Sequence, residues 1–325
     1  MQTIWQKSRQ TIAVALLSSV LIFSFATPSW AETVLERVQR TGVLRAGTRT
    51  DSLPFAYVNE NGEWIGFSID LLEQIREQLE QDLARDIQLE LIEVSPRDRI
   101  TTLEQGNVDV ICESASFTFN RSRFVDFSVG FFQTGTQFLV KQDLRLNSGE
   151  FRVGIIPGST NASAAQRFLR VAEFVRIDDR PSGLAELDAG RIDAMASDGV
   201  LLEGMRQTMD NPETYAIIPS TPIQPEVYSC ILPKDNPEFL EIVNRSLIGF
   251  MVGVLNNNPE ELAIFDRWFG ESGVVPSDRN SLFSFFRNTI ITYQERQANS
   301  PAPEPPSEEA EFPEEDLELE LLEDT

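Results

Sequence analysis

Histidine is absent from this chain. The side chains left to do chemistry near neutral pH are carboxylates, guanidinium groups, hydroxyls and one pair of cysteines. Without an imidazole, Ser-His-Asp and Cys-His catalysis, histidine metal ligation and the usual general base are excluded together. Cys112 and Cys230 lie far apart in sequence. In an oxidising compartment such an even pair reads as a disulfide, and otherwise as two buried thiols. Gly158-Ser159-Thr160 stands just before a helical stretch, where backbone N–H groups attract a carboxylate. Ser and Thr are also ordinary helix caps at such a place. Ser197-Asp198 follows an apolar strand and supplies an anion. No metal-ligand spacing and no cofactor motif accompanies these groups.

The elements that must position them alternate short apolar strands with amphipathic helices, the pattern of a parallel α/β sheet. Strands are predicted over 43–47, 87–94, 108–111, 151–156, 174–177, 192–196, 215–218 and 226–232. Helices are predicted over 69–79, 99–105, 161–168, 181–189, 236–253 and 259–269. Asn61-Gly62 between two short apolar runs signals a hairpin. The pattern restarts after Phe131, so the chain is expected to cross between two lobes twice, near 131–136 and 225–229. In open α/β sheets, ligands sit beyond the carboxyl ends of the strands, which is where Thr160 and Asp198 fall.

Both ends of the chain read differently from the middle. Lys7 and Arg9 precede an apolar run over 11–26, and Ser29 and Ala31 form an A-x-A-like cleavage site. That run is shorter than the roughly 20 residues of a membrane-spanning helix. The segment 1–31 is therefore expected to be a signal peptide, cleaved near Ala31, that delivers a soluble protein to the periplasm. The segment 297–325 opens with prolines and holds eleven acidic residues and no basic ones, a composition expected to stay disordered. The whole chain of 325 residues carries a net charge of −24. Removing the eleven acids of the tail and the two bases of the leader leaves −15 for the middle. Phosphate repulsion then argues against nucleic acid as a partner. A site for an anionic ligand must concentrate positive charge locally, against the global field.

At Gly66-Phe67-Ser68-Ile69-Asp70-Leu71 the chain resembles the family 3 extracellular solute-binding proteins, the polar amino-acid receptors of ABC importers. The resemblance continues through Arg99-Ile100, Val108-Asp109-Val110, Ser114-Ala115-Ser116, Asn120-Arg121 and Val125-Asp126-Phe127-Ser128. It then takes in Gly158-Ser159-Thr160, Gly190-Arg191, Asp193-Ala194 and Asp198, and it ends near Gly270. Arg49 with Pro54-Phe55, Cys112, Tyr228-Ser229-Cys230 and Phe265-Asp266-Arg267-Trp268-Phe269 are most similar to the glutamate/aspartate-binding subgroup. For the last run, an amphipathic helix packing its aromatics is the plainer reading.

The resemblance implies a periplasmic binding protein-like type II fold, two α/β lobes joined by a two-strand hinge. The first lobe would take 32–132 and 228–296, with C-terminal helices, and the second 133–227. It implies a monomer without a cofactor that closes on an amino acid and presents it to an ABC permease. It also implies roles. Arg121, five residues after Ser116, would fork the ligand's α-carboxylate, with Thr160 as second clamp. Asp198 would meet the ammonium, and Ser114 would form a hydrogen-bonding wall. Arg49, Arg99 and Arg180 would face an acidic side chain, Arg180 replacing the subgroup's histidine by a pH-independent cation. Pro96 stands where the subgroup has a serine, and Glu113, if turned inward, would pair with an arginine and weaken the case for an acidic ligand. Other readings are a periplasmic cyclohexadienyl dehydratase-like enzyme and a sensory ligand-binding domain.

Overall fold

The computed structural model describes residues 32–142, 144 and 151–299. The signal-peptide reading of 1–31 and all but the first three residues of the predicted tail lie outside them. In chain order the elements begin with α1 (Val34–Thr41), β1 (Val43–Thr48), β2 (Asp51–Ser52), β3 (Ala56–Val58), β4 (Trp64–Ile65), α2 (Phe67–Leu83), β5 (Gln88–Glu93), α3 (Arg99–Glu104) and β6 (Val110–Ile111). They continue with β7 (Val125–Lys141), β8 (Arg152–Ile155), α4 (Thr160–Phe168), β9 (Glu173–Arg176), α5 (Arg180–Asp188), β10 (Ala194–Asp198), α6 (Gly199–Gln207), β11 (Tyr215–Ile218) and β12 (Gln224–Pro233). Three helices close the chain: α7 (Pro237–Leu255), α8 (Pro259–Phe269) and α9 (Arg279–Asn299).

Nine strands form one sheet in the order β5-β1-β6-β12-β7-β10-β8-β9, with β11 also paired to β7. The two ends of the sheet are parallel, β5-β1-β6 on one side and β10-β8-β9 on the other. The two middle strands, β12 and β7, are antiparallel to each other and to both arms. Each parallel arm is wrapped by its own helices and holds its own core. Leu44, Ile75, Val243 and Phe250 belong to one core, and Leu139, Ile177, Leu187 and Met195 to part of the other. The chain thus passes twice through a shared pair of strands. The segments predicted as crossings, 131–136 and 225–229, lie side by side there, with Gln133 opposite Val227 and Thr134 opposite Glu226.

Local chemistry accounts for the sharp features. Gly66 caps α2 with φ 147°, and a Cβ there would stand 2.0 Å from the Phe55 carbonyl oxygen. That oxygen accepts from the Ser68 N–H at 2.8 Å, so only glycine lets the strand and helix approach so closely. In α8, Phe265, Trp268 and Phe269 are buried; Phe269 packs on Phe55, Phe67 and Phe132 with ring centroids 4.7–5.9 Å apart. The aromatic run 265–269 is therefore a packing face, as its spacing suggests. Such contacts contribute beyond the apolar area that they bury.

The structure departs from the expectation at several places: α2 runs on from 79 to Leu83, and α1, β7 and α9 stand where no element is predicted. Strand β7 is continuous over 17 residues, because it belongs to both arms and its side chains are partly buried throughout. Strand β10 runs on through Ser197-Asp198, so Asp198 is held by a strand rather than by a turn. Helix α9 reaches Asn299, three residues into the segment read as a tail.

Cys112, just past β6, is disulfide-bonded to Cys230 in β12 across 118 residues of sequence. Closing a loop of that length in the unfolded chain stabilises the native state by about 4–5 kcal/mol. Replacing both cysteines by alanine is expected to lower the unfolding free energy by an amount of that order, measured by denaturant titration. A loss below about 1 kcal/mol would contradict the assignment of the bridge to stability.

Candidate functional site

The residues singled out from the sequence come from both arms, and seven of the eight line one cleft. Arg49, Arg99, Ser114 and Ser116 approach from the β1-β6 arm, and Thr160, Arg180 and Asp198 from the β8-β10 arm. The lining side chains nearly close this cleft, leaving a cavity of about 30 Å³, room for little more than a water molecule. Pro96 lines it as well, and contributes no hydroxyl.

At one end stand the three arginines. Arg99, at the start of α3, is 4% exposed and donates from Nη1 to Glu113 Oε1 at 2.7 Å. Its Nε has no hydrogen-bond partner. Arg49, just past β1, donates from Nε to Asp51 Oδ1 at 2.9 Å, and the same Nε lies 4.0 Å from Glu113 Oε2. Arg180 opens α5, whose N-terminus Asp179 caps through the Ser182 N–H. Its Nε donates to Ser197 Oγ and its Nη1 to Ser52 Oγ, both at 3.2 Å, and Asp51 Oδ2 lies 3.5 Å from Nη1. Burial pushes the Asp51 carboxyl up, but Arg180 and Arg49 outweigh it and hold its pKa below the usual value. Ser114 Oγ donates to Ser52 Oγ at 3.3 Å. Glu113 is thus turned inward and paired. The positive charge expected at this end is present, but it comes with two carboxylates.

At the other end two buried carboxylates face each other across Asn161. Asn161 Nδ2 donates to Asp198 Oδ1 at 3.1 Å and to Glu226 Oε1 at 3.5 Å. Thr136 Oγ1 donates to Glu226 Oε1 at 3.0 Å. Glu226 Oε2 accepts from Thr160 Oγ1 at 2.6 Å and from the Ser116 hydroxyl. The Tyr228 hydroxyl, fully buried, faces Asp198 without a hydrogen bond of good geometry, and burial together with that carboxylate pushes the phenol well up. Burial and then the Glu226 charge push the Asp198 carboxyl up to about 7, against the Tyr228, Asn161 and Arg180 groups that favour its anion. Two close buried anions without a cation between them are costly, and an ammonium is the ion that would relieve them.

Arg121 departs from the expected fork. It does not line the cleft but an adjoining recess that shares Thr160 with it. Its Nη1 donates to the Ser116 carbonyl at 2.8 Å and its Nη2 to the Gly158 carbonyl at 3.4 Å, so it ties the two sides of the cleft together from behind. Burial and then the Arg99 charge lower its pKa to about 10, while Glu113 and Glu226 oppose that shift. In the Gly158-Ser159-Thr160 segment, Ser159 is the cap, accepting from the Ala162 N–H at 3.0 Å, and Thr160 is the residue that faces the cleft. Sequence reasoning missed Asp51, Asn161 and Glu226. For Glu226 the signal is Glu226-x-Tyr228, since positions two apart on a strand share a face, but its partners lie far away in sequence.

Among the described residues, no group of His, Cys, Asp and Glu is arranged to hold a metal ion, and no helix is long and apolar enough to cross a membrane. The raised Asp198 pKa fixes a pH effect. Its folded value exceeds the ordinary 3.8, so its stabilising contribution is complete below that value and is lost as pH rises through about 7. The melting temperature of Asp198→Asn minus that of the unaltered protein, both ligand-free, is expected to increase from pH 5 to pH 8. A difference that stays flat over this range would contradict the assignment.

Comparison with known proteins identifies the family and the fold. The profile of the bacterial extracellular solute-binding proteins, family 3, matches residues 44–271. The glutamate/aspartate import solute-binding protein of Escherichia coli (strain K12) is 26% identical over 281 residues, covering 84% of this chain and 90% of that protein. A glutamine-binding protein of Geobacillus stearothermophilus is 30% identical over 183 residues, covering 54% of this chain and 69% of that protein. Among solved structures, an ancestral arginine-binding protein bound to glutamine superposes with a TM-score of 0.62 at 27% identity, covering 71% of this chain and 99% of that one. The architecture is accordingly the type II periplasmic-binding-protein fold, two α/β lobes joined by two strands. With a matched profile over most of its length, the chain belongs to the bacterial extracellular solute-binding proteins, family 3.

Proposed function

We propose that this protein is the amino-acid-binding component of an ABC importer, working in the periplasm as a monomer, and that its ligands are glutamate and aspartate, with their amides as further candidates. The observation that carries this reading is the polarity of one cleft. Three arginines, the buried Arg99 and Arg180 and the half-buried Arg49, stand at one end, and the buried Asp198–Glu226 pair at the other. A polar amino acid would lie along that axis once the two arms part to admit it. Its side chain points to the guanidinium groups, and its ammonium sits against Asp198 and Glu226, with three donors for the two carboxylates.

The α-carboxylate falls between these ends. Ser116 and Thr160 offer hydroxyls there, and the start of α4 offers the positive end of a helix. Those hydroxyls now serve Glu226, so ligand entry exchanges one carboxylate for another. Arg121 supports the carboxylate from behind through its positive charge and its hold on Ser116 and Gly158. Ligand contacts made from both lobes favour the closed form, because a ligand shifts an equilibrium by its differential affinity. A permease that recognises the closed face would then take up the bound molecule. Most of the relatives' names support a binder over an enzyme, although a cyclohexadienyl dehydratase of Pseudomonas aeruginosa is 25% identical over 235 residues; unchanged prephenate and arogenate after incubation would decide for the binder.

Calorimetry on two variants tests the assignment. Arg121→Ala is expected to weaken every bound amino acid by roughly tenfold to a hundredfold, the order of one charged hydrogen bond. Arg49→Ala is expected to change the preference among side chains while glycine-like contacts survive. Full affinity in Arg121→Ala, or an equal loss for all ligands in Arg49→Ala, would contradict the placement.

A further inference from the structure

The arginine end of the cleft is close to charge-balanced by residues that nothing in the family reading assigns. Arg49, Arg99 and Arg180 bring three positive charges. Glu113 sits on the cleft wall, 1% exposed, and takes Arg99 Nη1 at 2.7 Å, with Arg49 Nε 4.0 Å away. Asp51 lies behind the wall and bridges Arg49 and Arg180. Two of the three charges are therefore answered before a ligand arrives. In and behind the cleft, with Arg121, Asp198 and Glu226 included, four guanidinium groups meet four carboxyl groups, of which Asp198 ionises fully only beside a bound ammonium. A zwitterion with a neutral side chain adds no net charge to such a site, whereas a dicarboxylate adds one. In a water-poor cleft that difference is weakly screened.

One donor stays open at this end. Arg99 Nε is buried without a partner, and a buried unpartnered donor calls for an acceptor. A carboxamide oxygen supplies that acceptor as a carboxylate oxygen does. Its amide nitrogen can in turn donate to Glu113 Oε2, the oxygen of that carboxylate which Arg99 Nη1 does not take. A ligand carboxylate at the same place would meet Glu113 as a like charge.

Resting on the amino-acid-binding reading above, we propose that Glu113 is the specificity-determining residue of this cleft. With Asp51 behind it, Glu113 makes ω-carboxamide amino acids, glutamine and asparagine, ligands on a par with the acids. Without it the three arginines would select dicarboxylates. Glu113 acts by lowering the excess positive charge at the side-chain end and by accepting from the amide nitrogen.

The test is calorimetric titration of L-glutamate and L-glutamine into the full-length protein and into Glu113→Gln, which keeps the side-chain shape while removing its charge. The ratio of the glutamine Kd to the glutamate Kd is expected to rise at least about tenfold in Glu113→Gln, the order of one charge-assisted hydrogen bond. An unchanged ratio, or one that moves toward glutamine, overturns the role of Glu113. Should Glu113→Gln fail to fold, since it strips Arg99 of its buried partner, Asp51→Asn leaves that pair intact and must move the ratio in the same direction. Binding of neither amino acid to the unaltered protein, with a normal melting curve, removes the amino-acid-binding reading itself and this inference with it. Binding of both, with no dependence of their ratio on residues 51 and 113, removes the inference alone.

Discussion

Guanidinium groups cannot be taken out of water without partners, and this constraint governs how the cleft is built. Each arginine in or behind it reaches a carboxylate, a hydroxyl or a carbonyl contributed by another element. Arg180 of α5 reaches Ser52 and Asp51 of β2, which joins the two arms directly. Arg121 does so through two backbone carbonyls, and Glu226 through the hydroxyls of Ser116 and Thr160. Removing one member of a buried ion pair costs about 3–5 kcal/mol, whereas replacing both by apolar groups is near neutral. Such pairs therefore contribute little net stability and much definition: they fix which atoms face the cleft and which charge it accepts.

The scaffold places those charges economically. Strand β12 carries Glu226 to a place behind the Ser116 and Thr160 hydroxyls and Tyr228 to one facing Asp198, while Cys230 on the same strand is bonded to Cys112. Cys112 immediately precedes Glu113, Ser114 and Ser116, so the bridge holds the wall of the cleft against the strand that supplies its buried acid. Because β12 and β7 belong to both arms, the acid lies where the arms meet, bonded to Ser116 of one and Thr160 of the other. Burial at that point also explains why Asp198, on β10, holds its proton up to about 7. Hydroxyl and amide donors serve the pair, and a cation between its members would relieve the repulsion that keeps Asp198 protonated.

Much of the architecture is legible in the sequence, because period-2 and period-3.6 apolar patterns mark strands and helices whatever their partners are. The helices α4 and α5, the strand β9 and the aromatic face of α8 follow the pattern within a residue or two. What is not legible is the continuity of β7, since a strand shared by two cores shows no clean alternation. At the site, hydroxyls and cations at strand and helix ends are readable one by one: Ser114, Thr160, Arg180 and Asp198 face the cleft. Their partners are not. Asp51 and Glu226 look like surface acids in an acidic chain, and only the pairing of distant strands turns them inward. Arg121 shows the converse, since its spacing from Ser116 is unmistakable while its guanidinium reaches backbone carbonyls behind the cleft. The acidity of the whole chain conceals the balance within: a net charge of −24 surrounds a cleft in which the charges nearly cancel.

A thermal-shift screen of the full-length protein against the twenty L-amino acids tests the central claim most directly. A ligand bound at a hundred times its Kd stabilises the native state by about 2.7 kcal/mol, enough to raise the melting temperature by several degrees. The account predicts such shifts with glutamate, aspartate and their amides, and none with lysine, whose ammonium would meet three arginines. No shift with any of those four, or a shift with lysine in their place, would contradict it.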